Sequence, residues 1–267
     1  MESRMSIISK YNIHLSGSGD QVMLFSHGYG CDQNMWRFVA PSFSDGCKIV
    51  LYDLMGAGRS DTSHYTPEKY NSLHQYADDV LEICTALDLK DVIFVGHSVS
   101  CTIGILAQLK KPDAFSHLIL IGPTPCYINK DDYKGGFNES DITNMIEALE
   151  SNFFHWASFI TPVIIGNDEK KEFSDELRIS FCSMPDGIAK NFAKVTFLGD
   201  YREYLNQVTG PALILQTNPD AIVNVEVGKY VAKQIKNAHY VELPTAGHCP
   251  HLTAPDLVIS AMKSYLK

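Results

Sequence analysis

Ser98 sits in Gly96-His97-Ser98-Val99-Ser100, directly between a short apolar run, VIFV, and a stretch with helical spacing. A serine hydroxyl is a poor nucleophile at neutral pH and attacks an acyl carbon only when a neighbouring base takes its proton. A sharp strand–turn–helix bend lifts such a hydroxyl clear of a sheet, and it needs small flanking residues because the backbone folds back on itself. Gly96 and Ser100 are small enough, although the usual G-x-S-x-G pattern has a second glycine where Ser100 stands. The string alone is a weak signal, since most serines only cap a helix or face water. Its place between a strand and a helix makes Ser98 the candidate nucleophile.

Of the ten histidines, His14, His64, His74 and His155 lie in polar or mixed stretches, and His97 reads as packing beside the nucleophile. His248 differs. It lies in Gly247-His248-Cys249-Pro250-His251, a loop between the last strand-like run and the final helix-like one. From there an imidazole reaches back over a sheet edge to a base's position. His251 is the local rival, but it borders a helix and lacks a preceding glycine. The acid that orients such an imidazole falls between serine and histidine in this chain order, after a strand. Asp168, Asp175, Asp186 and Asp200 belong to a helical stretch or its edge, whereas Asp220 follows the apolar run ALILQ and precedes a helix. There it would fix the imidazole tautomer and stabilise the imidazolium; its plainer role is a loop cap. An oxyanion needs two backbone donors. Val99, after the nucleophile, supplies one N–H, and Tyr29 in His27-Gly28-Tyr29-Gly30 supplies the other, because the glycines let that amide turn inward.

These residues need a frame. Apolar runs at 13–15, 22–25, 48–52, 92–95, 117–121, 212–216 and 239–242 read as strands, and helical spacing covers 70–87, 102–110, 225–235 and 256–265. The turn-rich Ser16-Gly17-Ser18-Gly19-Asp20 reads as the bend of a hairpin joining the first two strands. Strand–helix alternation predicts an α/β fold: a mostly parallel sheet flanked by helices on both faces. Residues 127–199 break the rhythm with helical patterns and no convincing strand. Ser140 or Asp141 is placed to cap a helix whose stripe is Ile142, Met145, Ile146, Leu149 and Phe153, and further helices are expected near 172–182 and 186–197. This insertion reads as a helical lid over the sheet's C-terminal edge. The expected division is a core of residues 1–126 and 200–267 and a helical cap of 127–199.

Composition narrows the partners. The 267 residues carry 22 Lys+Arg against 31 Asp+Glu, a formal net charge of −9, which argues against nucleic acid, whose phosphates require basic clusters. No apolar run approaches the roughly 20 residues of a membrane span, and the N-terminal stretch MESRMSIISKYN has no apolar core of signal-peptide length. Cys31, Cys47, Cys84, Cys101, Cys126, Cys182 and Cys249 are odd in number and scattered, without a C-x-x-C pair. That pattern predicts reduced thiols in a cytoplasmic protein, with no disulfide framework and no metal site. No cofactor is expected.

Longer strings carry a family resemblance. HGYGCDQNMW at 27–36, YDLMGAGRSD at 52–61, FVGHSVS at 94–100, PTPCYIN at 123–129, YKGGF at 133–137 and GHCPH at 247–251 resemble the α/β-hydrolase superfamily. Within it the chain is most similar to the RsbQ-type bacterial stress-response regulators and the related plant karrikin and strigolactone receptor hydrolases. GHCPH and PCY-x-N lean toward the bacterial regulators, GHSVS toward the karrikin receptors, so Ser100 need not disable the bend. The resemblance implies an α/β-hydrolase fold with a four-helix cap, a triad of Ser98, Asp220 and His248, an oxyanion hole of Tyr29 and Val99, and a pocket lined by Phe137 and Phe197. It also implies a serine hydrolase that acts on or senses a small apolar ester or lactone, and regulates general-stress transcription with a PAS-domain phosphatase. An ordinary metabolic esterase or lactonase is the alternative, as is a karrikin- or strigolactone-type ligand receptor. The intact set of three residues disfavours a non-catalytic binding module. Family members often carry phenylalanine where Tyr29 stands; a hydroxyl there is expected to sit at the pocket mouth and favour a more polar ligand.

Overall fold

A computed structural model describes residues 4–267; the first three, part of the stretch read above for a leader, lie outside the described residues. Seven strands form one sheet: β1 (His14–Ser16), β2 (Gln21–Ser26), β3 (Cys47–Leu51), β4 (Val92–His97), β5 (Phe115–Ile121), β6 (Ala212–Thr217) and β7 (Ala238–Leu243). They lie in the order β1-β3-β2-β4-β5-β6-β7. Only the β1–β3 pairing is antiparallel. β4 and β6 are buried at every position, so their sequences read as continuous apolar runs rather than alternating ones.

The two faces divide by strand parity. Phe25, Ile93, Val95, Ile119 and Leu213 face one core with Trp36, Val258 and Met262. Leu24, Val92, Phe94, Leu118 and Ile214 face the other, where α2 (Leu73–Ala86) and α3 (Val99–Lys110) pack. Helix α2 starts at Ser72, whose hydroxyl accepts the His74 amide, and turns Leu73, Tyr76, Ala77, Val80, Ile83 and Cys84 inward. α1 (Arg4–Lys10) opens the described chain; α8 (Val225–Gln234), the short α9 (Pro250–Thr253) and α10 (Pro255–Tyr265) complete the layers beside β6 and β7. Among the described residues, no helix is long and apolar enough to cross a membrane.

Two local expectations need correction. The first two strands do not form a hairpin: β1 pairs with β3, and β3 lies between β1 and β2. The glycine-rich link crosses the start of β3 instead of closing a two-strand turn. Ser18 N–H donates to the Ser44 carbonyl at 3.2 Å, and Gly17, at φ +75°, comes so near the Cys47 carbonyl that a Cβ would overlap it.

The second concerns the helix after β5. Neither Ser140 nor Asp141 caps it; Asn138 does, in a capping box with Asp141. That helix, α4 (Glu139–Ser151), ends at Asn152, which then caps α5 (Phe153–Ile165). Phe153 therefore begins a new helix rather than ending the stripe of α4. α6 (Lys171–Ser183) and α7 (Asp186–Phe197) follow, so four helices run between β5 and β6 with no named strand among them.

One buried acid opposes the fold at neutral pH. Asp79 of α2 is 2% exposed; its Oδ1 accepts from the Tyr70 hydroxyl and Gln75, while Oδ2 has no partner. Burial, against these hydrogen bonds, pushes its carboxyl up to about 6. An acid raised on folding holds its proton longer in the folded state, so stability falls as pH rises through the unfolded value of ~3.9 toward the folded one, then levels off. The loss amounts to about 3 kcal/mol above that window. Asp79→Asn keeps the Oδ1 acceptor and should raise the Tm at pH 8 by several degrees. Near pH 3.5 the gain should vanish; an equal shift at both pH values in thermal melts would exclude this origin.

Candidate active site

Ser98 follows β4 and precedes α3 with φ 54° and ψ −122°, a backbone that L residues rarely adopt. Such strain, of order 1–3 kcal/mol, persists only where the surroundings over-determine it. Here the Ser98 amide donates to the Ile121 carbonyl on β5 at 2.9 Å. Gly96 is indispensable: a Cβ there would lie 2.7 Å from the Ser100 carbonyl. Ser100, where the common pattern has glycine, is fully buried and tied into its surroundings. Its hydroxyl donates to the His27 carbonyl and accepts from Ser26, which in turn meets the Tyr52 hydroxyl. The serine fastens the first turn of α3 to the 27–30 loop, a link glycine cannot make.

His248 lies across the turn from Ser98, its Nε2 2.9 Å from Ser98 Oγ and its Nδ1 2.8 Å from Asp220 Oδ2. Asp220 follows β6 after a two-residue link, Asn218-Pro219, and its side chain is fully buried. Its Oδ1 accepts the Ile222 and Val223 amides at 2.8 and 3.0 Å. Burial alone would raise its carboxyl, but the His248 charge and hydrogen bond, with the two amides, hold it below the usual carboxylate range. The acid therefore stays ionised and accepts from His248 Nδ1–H, which leaves the Nε2 lone pair facing the serine.

The His248 backbone is also fixed. Its N–H donates to the Ile164 carbonyl at 2.7 Å, and its carbonyl accepts from His97 Nε2 at 2.8 Å. His97 thus supports the loop rather than facing the serine oxygen. His251, the rival, sits in α9, fully buried, with its ring against Trp36 and His97 and no hydrogen bond to Ser98. The other acids make ion pairs elsewhere: Asp175 with Arg178, Asp186 with Lys190 and Asp200 with Arg202. Asp168 starts a short turn before α6.

The 27–30 loop approaches from the other side. A Cβ on Gly28 would lie 2.7 Å from His97 Nδ1, and one on Gly30, at φ +71°, would overlap the Phe181 ring. Glycine at both positions lets the loop pack against His97, Ser98 and Phe181. Val99 opens α3, so its amide belongs to the first turn and has no intrahelical acceptor.

Above these groups is a cavity of about 130 Å³, bordered by Ser98 and His248 below and by Phe137, Trp156, Phe181 and Phe197 among the side walls. Both phenylalanines expected from the resemblance border it. Sequence reasoning missed Trp156 and Phe181, which stand on helices whose spacing reads equally well as plain core. It also missed Tyr127, a buried phenol that has Ser98 as a hydrogen-bonding neighbour; burial pushes its pKa up against that pull. No Asp, Glu, Lys or Arg side chain borders the cavity. It suits a small, mostly apolar molecule.

The model for the alpha/beta hydrolase fold family matches residues 21–255. This chain belongs to the α/β-hydrolase family. It is 34% identical to Karrikin insensitive 2 receptor CA of Petunia hybrida, over 98% of each chain. It is 35% identical to Strigolactone esterase D14 of Arabidopsis thaliana, over 95% of each. Among solved structures, a hydrolase from Oleispira antarctica superposes with a TM-score of 0.96 at 37% identity, covering 99% of this chain and 97% of that one.

The Tyr29 hydroxyl overturns the expectation of a polar group at the pocket mouth. It donates to the Ala189 carbonyl of α7 at 2.9 Å, and its ring packs against Trp156, Phe181, Phe192 and Phe197. Tyr29→Phe should therefore lower the Tm by a few degrees, through loss of one hydrogen bond worth about 1 kcal/mol. The preference across a panel of polar and apolar esters should not change; a shift toward apolar esters would return the hydroxyl to the ligand. Ser100→Ala strands the buried His27 carbonyl and should cost about 1–3 kcal/mol in chemical denaturation. An unchanged midpoint would mean that the Ser100 link carries no stability.

Proposed function

We propose that this α/β hydrolase cleaves a small, mostly apolar ester or lactone through Ser98, His248 and Asp220. The observation that carries the reading is the continuous relay from Ser98 Oγ to His248 Nε2 and from Nδ1 to Asp220, at the floor of an apolar cavity. In this mechanism His248 Nε2 takes the Ser98 proton as Oγ attacks the acyl carbon. The carbonyl oxygen becomes an oxyanion held by the Tyr29 and Val99 amides, each donor lowering the barrier by on the order of 3 kcal/mol. His248 then gives its proton to the leaving alkoxide, which in a lactone stays tethered to the acyl group. Water, deprotonated by the same imidazole, releases the acid and restores Ser98.

Residues 127–199 act in this reading as a cap on the core of 1–126 and 200–267, with Phe137 and Phe197 shaping the acyl site. The apolar side walls contributed by α5, α6 and α7 support it.

The physiological role that fits best is regulatory. The protein processes or senses its ligand in the cytoplasm as an RsbQ-type positive regulator of general-stress transcription, acting on a PAS-domain phosphatase. The GHCPH and PCY-x-N strings support this role, as do relatives whose names include both an esterase and a receptor. So do Phe159 on α5 and Ile179 on α6, 71% and 63% exposed, which offer apolar contacts to a protein partner.

Hydrolysis of p-nitrophenyl acetate should be abolished by Ser98→Ala. Asp220→Asn should lower kcat by about 10⁴ with KM little changed, because the amide favours the wrong imidazole tautomer. Activity surviving Ser98→Ala would overturn the catalytic assignment. Affinity purification from native cells should recover a phosphatase; its absence, with full esterase activity retained, would favour a metabolic role.

A further inference from the structure

Beside His248 three potential ligands converge: His97 at the end of β4, and Cys249 and His251 at the start of α9. Each offers one donor atom, these atoms lie within 4.8 Å of one another, and all three residues are buried. The sequence conceals the group because His97 is distant from the other two along the chain. We propose that His97, Cys249 and His251 form a binding site for one monovalent copper ion, Cu(I).

The state of the polar atoms supports a ligand. His97 Nε2 is committed to the His248 carbonyl, so its hydrogen lies there and Nδ1 presents a lone pair without a partner. Both nitrogens of His251 also lack partners. The two rings lie 4.3 Å apart between centroids, and Trp36 packs at 4.7 Å on the far side of His251. Rings placed here for bulk alone would leave three buried ring nitrogens unsatisfied, and one metal ion bound to both rings satisfies two of them. Apolar side chains would fill the same space with no nitrogen to satisfy.

Charge and donor type select the ion. Two neutral imidazoles and one thiolate are a soft, nitrogen–sulfur donor set that suits Cu(I) or Zn²⁺. With Cu(I) and the thiolate the site is neutral overall; with Zn²⁺ it keeps a net positive charge among buried groups, which is expensive. Binding exchanges the thiol proton for the metal: Cys249 Sγ–H and Cu⁺ give Sγ–Cu and one released H⁺, with no change of oxidation state. Metal bonds of about 2.0–2.3 Å would draw the three donor atoms closer together than the 4.8 Å within which they lie. Access exists, because His97 and Cys249 also border the cavity above Ser98. The site does not depend on the proposed hydrolysis.

The test is an anaerobic titration of the whole protein with ascorbate-reduced Cu(I) against the chelator bicinchoninate, followed by X-ray absorption of the loaded protein. One equivalent should bind, with one sulfur and two nitrogens around copper. Cys249→Ser and His251→Phe should each weaken binding at least about tenfold. Serine at both Cys47 and Cys182, the two partly exposed thiols, should leave binding unchanged. No binding in competition, two or more sulfurs around copper, or full affinity in Cys249→Ser would overturn the proposal. Zn²⁺ held as tightly as Cu(I) would overturn the choice of ion. The absorption spectrum of the unaltered protein decides the ligand set even where a variant fails to fold.

Discussion

The His248 peptide is gripped from both sides, and the geometry of the site depends on that grip. Its N–H reaches the Ile164 carbonyl on α5, and its carbonyl receives His97 Nε2 from β4. A loop bearing a functional side chain is ordinarily among the more mobile parts of a fold. Here two short hydrogen bonds tie it to a buried central strand and to a helix inserted above the sheet. The imidazole then spans Ser98 and Asp220 without having to find them, and reacting groups displaced by about 1 Å can lose 10²-fold in rate. The backbone anchors set where the ring stands; Asp220 sets which nitrogen carries the hydrogen.

The strained Ser98 backbone is held by a comparable web. The Ile121 carbonyl fixes its amide, and Ser100 binds the next turn to His27. His27 contributes further, for its Nε2 accepts the Leu54 amide and its Nδ1–H meets the Gly28 carbonyl. Burial lowers its pKa, which keeps the ring neutral so that one nitrogen remains an acceptor. The loop carrying Tyr29 and the turn carrying Ser98 are therefore parts of one hydrogen-bonded body.

Much of this was legible in the residues. Ser98, Asp220 and His248 stand out because each follows an apolar run, and a buried parallel strand delivers its C-terminal end to one edge of the sheet. The order of the strands was less visible. Runs at 13–15 and 22–25 look like hairpin partners because a glycine-rich turn separates them, yet long-range pairing with β3 takes precedence over the local signal. The break at Asn152 was hidden as well, since Phe153 continues the apolar spacing of α4 although it belongs to α5. Side chains that meet only after folding left no local trace. His97 under the His248 carbonyl and Trp156 against Tyr29 are of this kind.

Tyr29 joins two layers through a single residue. The loop that carries it packs against Ser98 through Gly28, while its hydroxyl holds the Ala189 carbonyl of α7 and its ring fills the cage beneath α5, α6 and α7. Ile164 joins the layers a second time, from α5 to His248. A guest large enough to push these helices outward therefore pulls on both the 27–30 loop and the His248 loop. Occupancy and alignment become mechanically opposed: an oversized molecule can be held firmly while Ser98 and His248 are drawn out of line with each other.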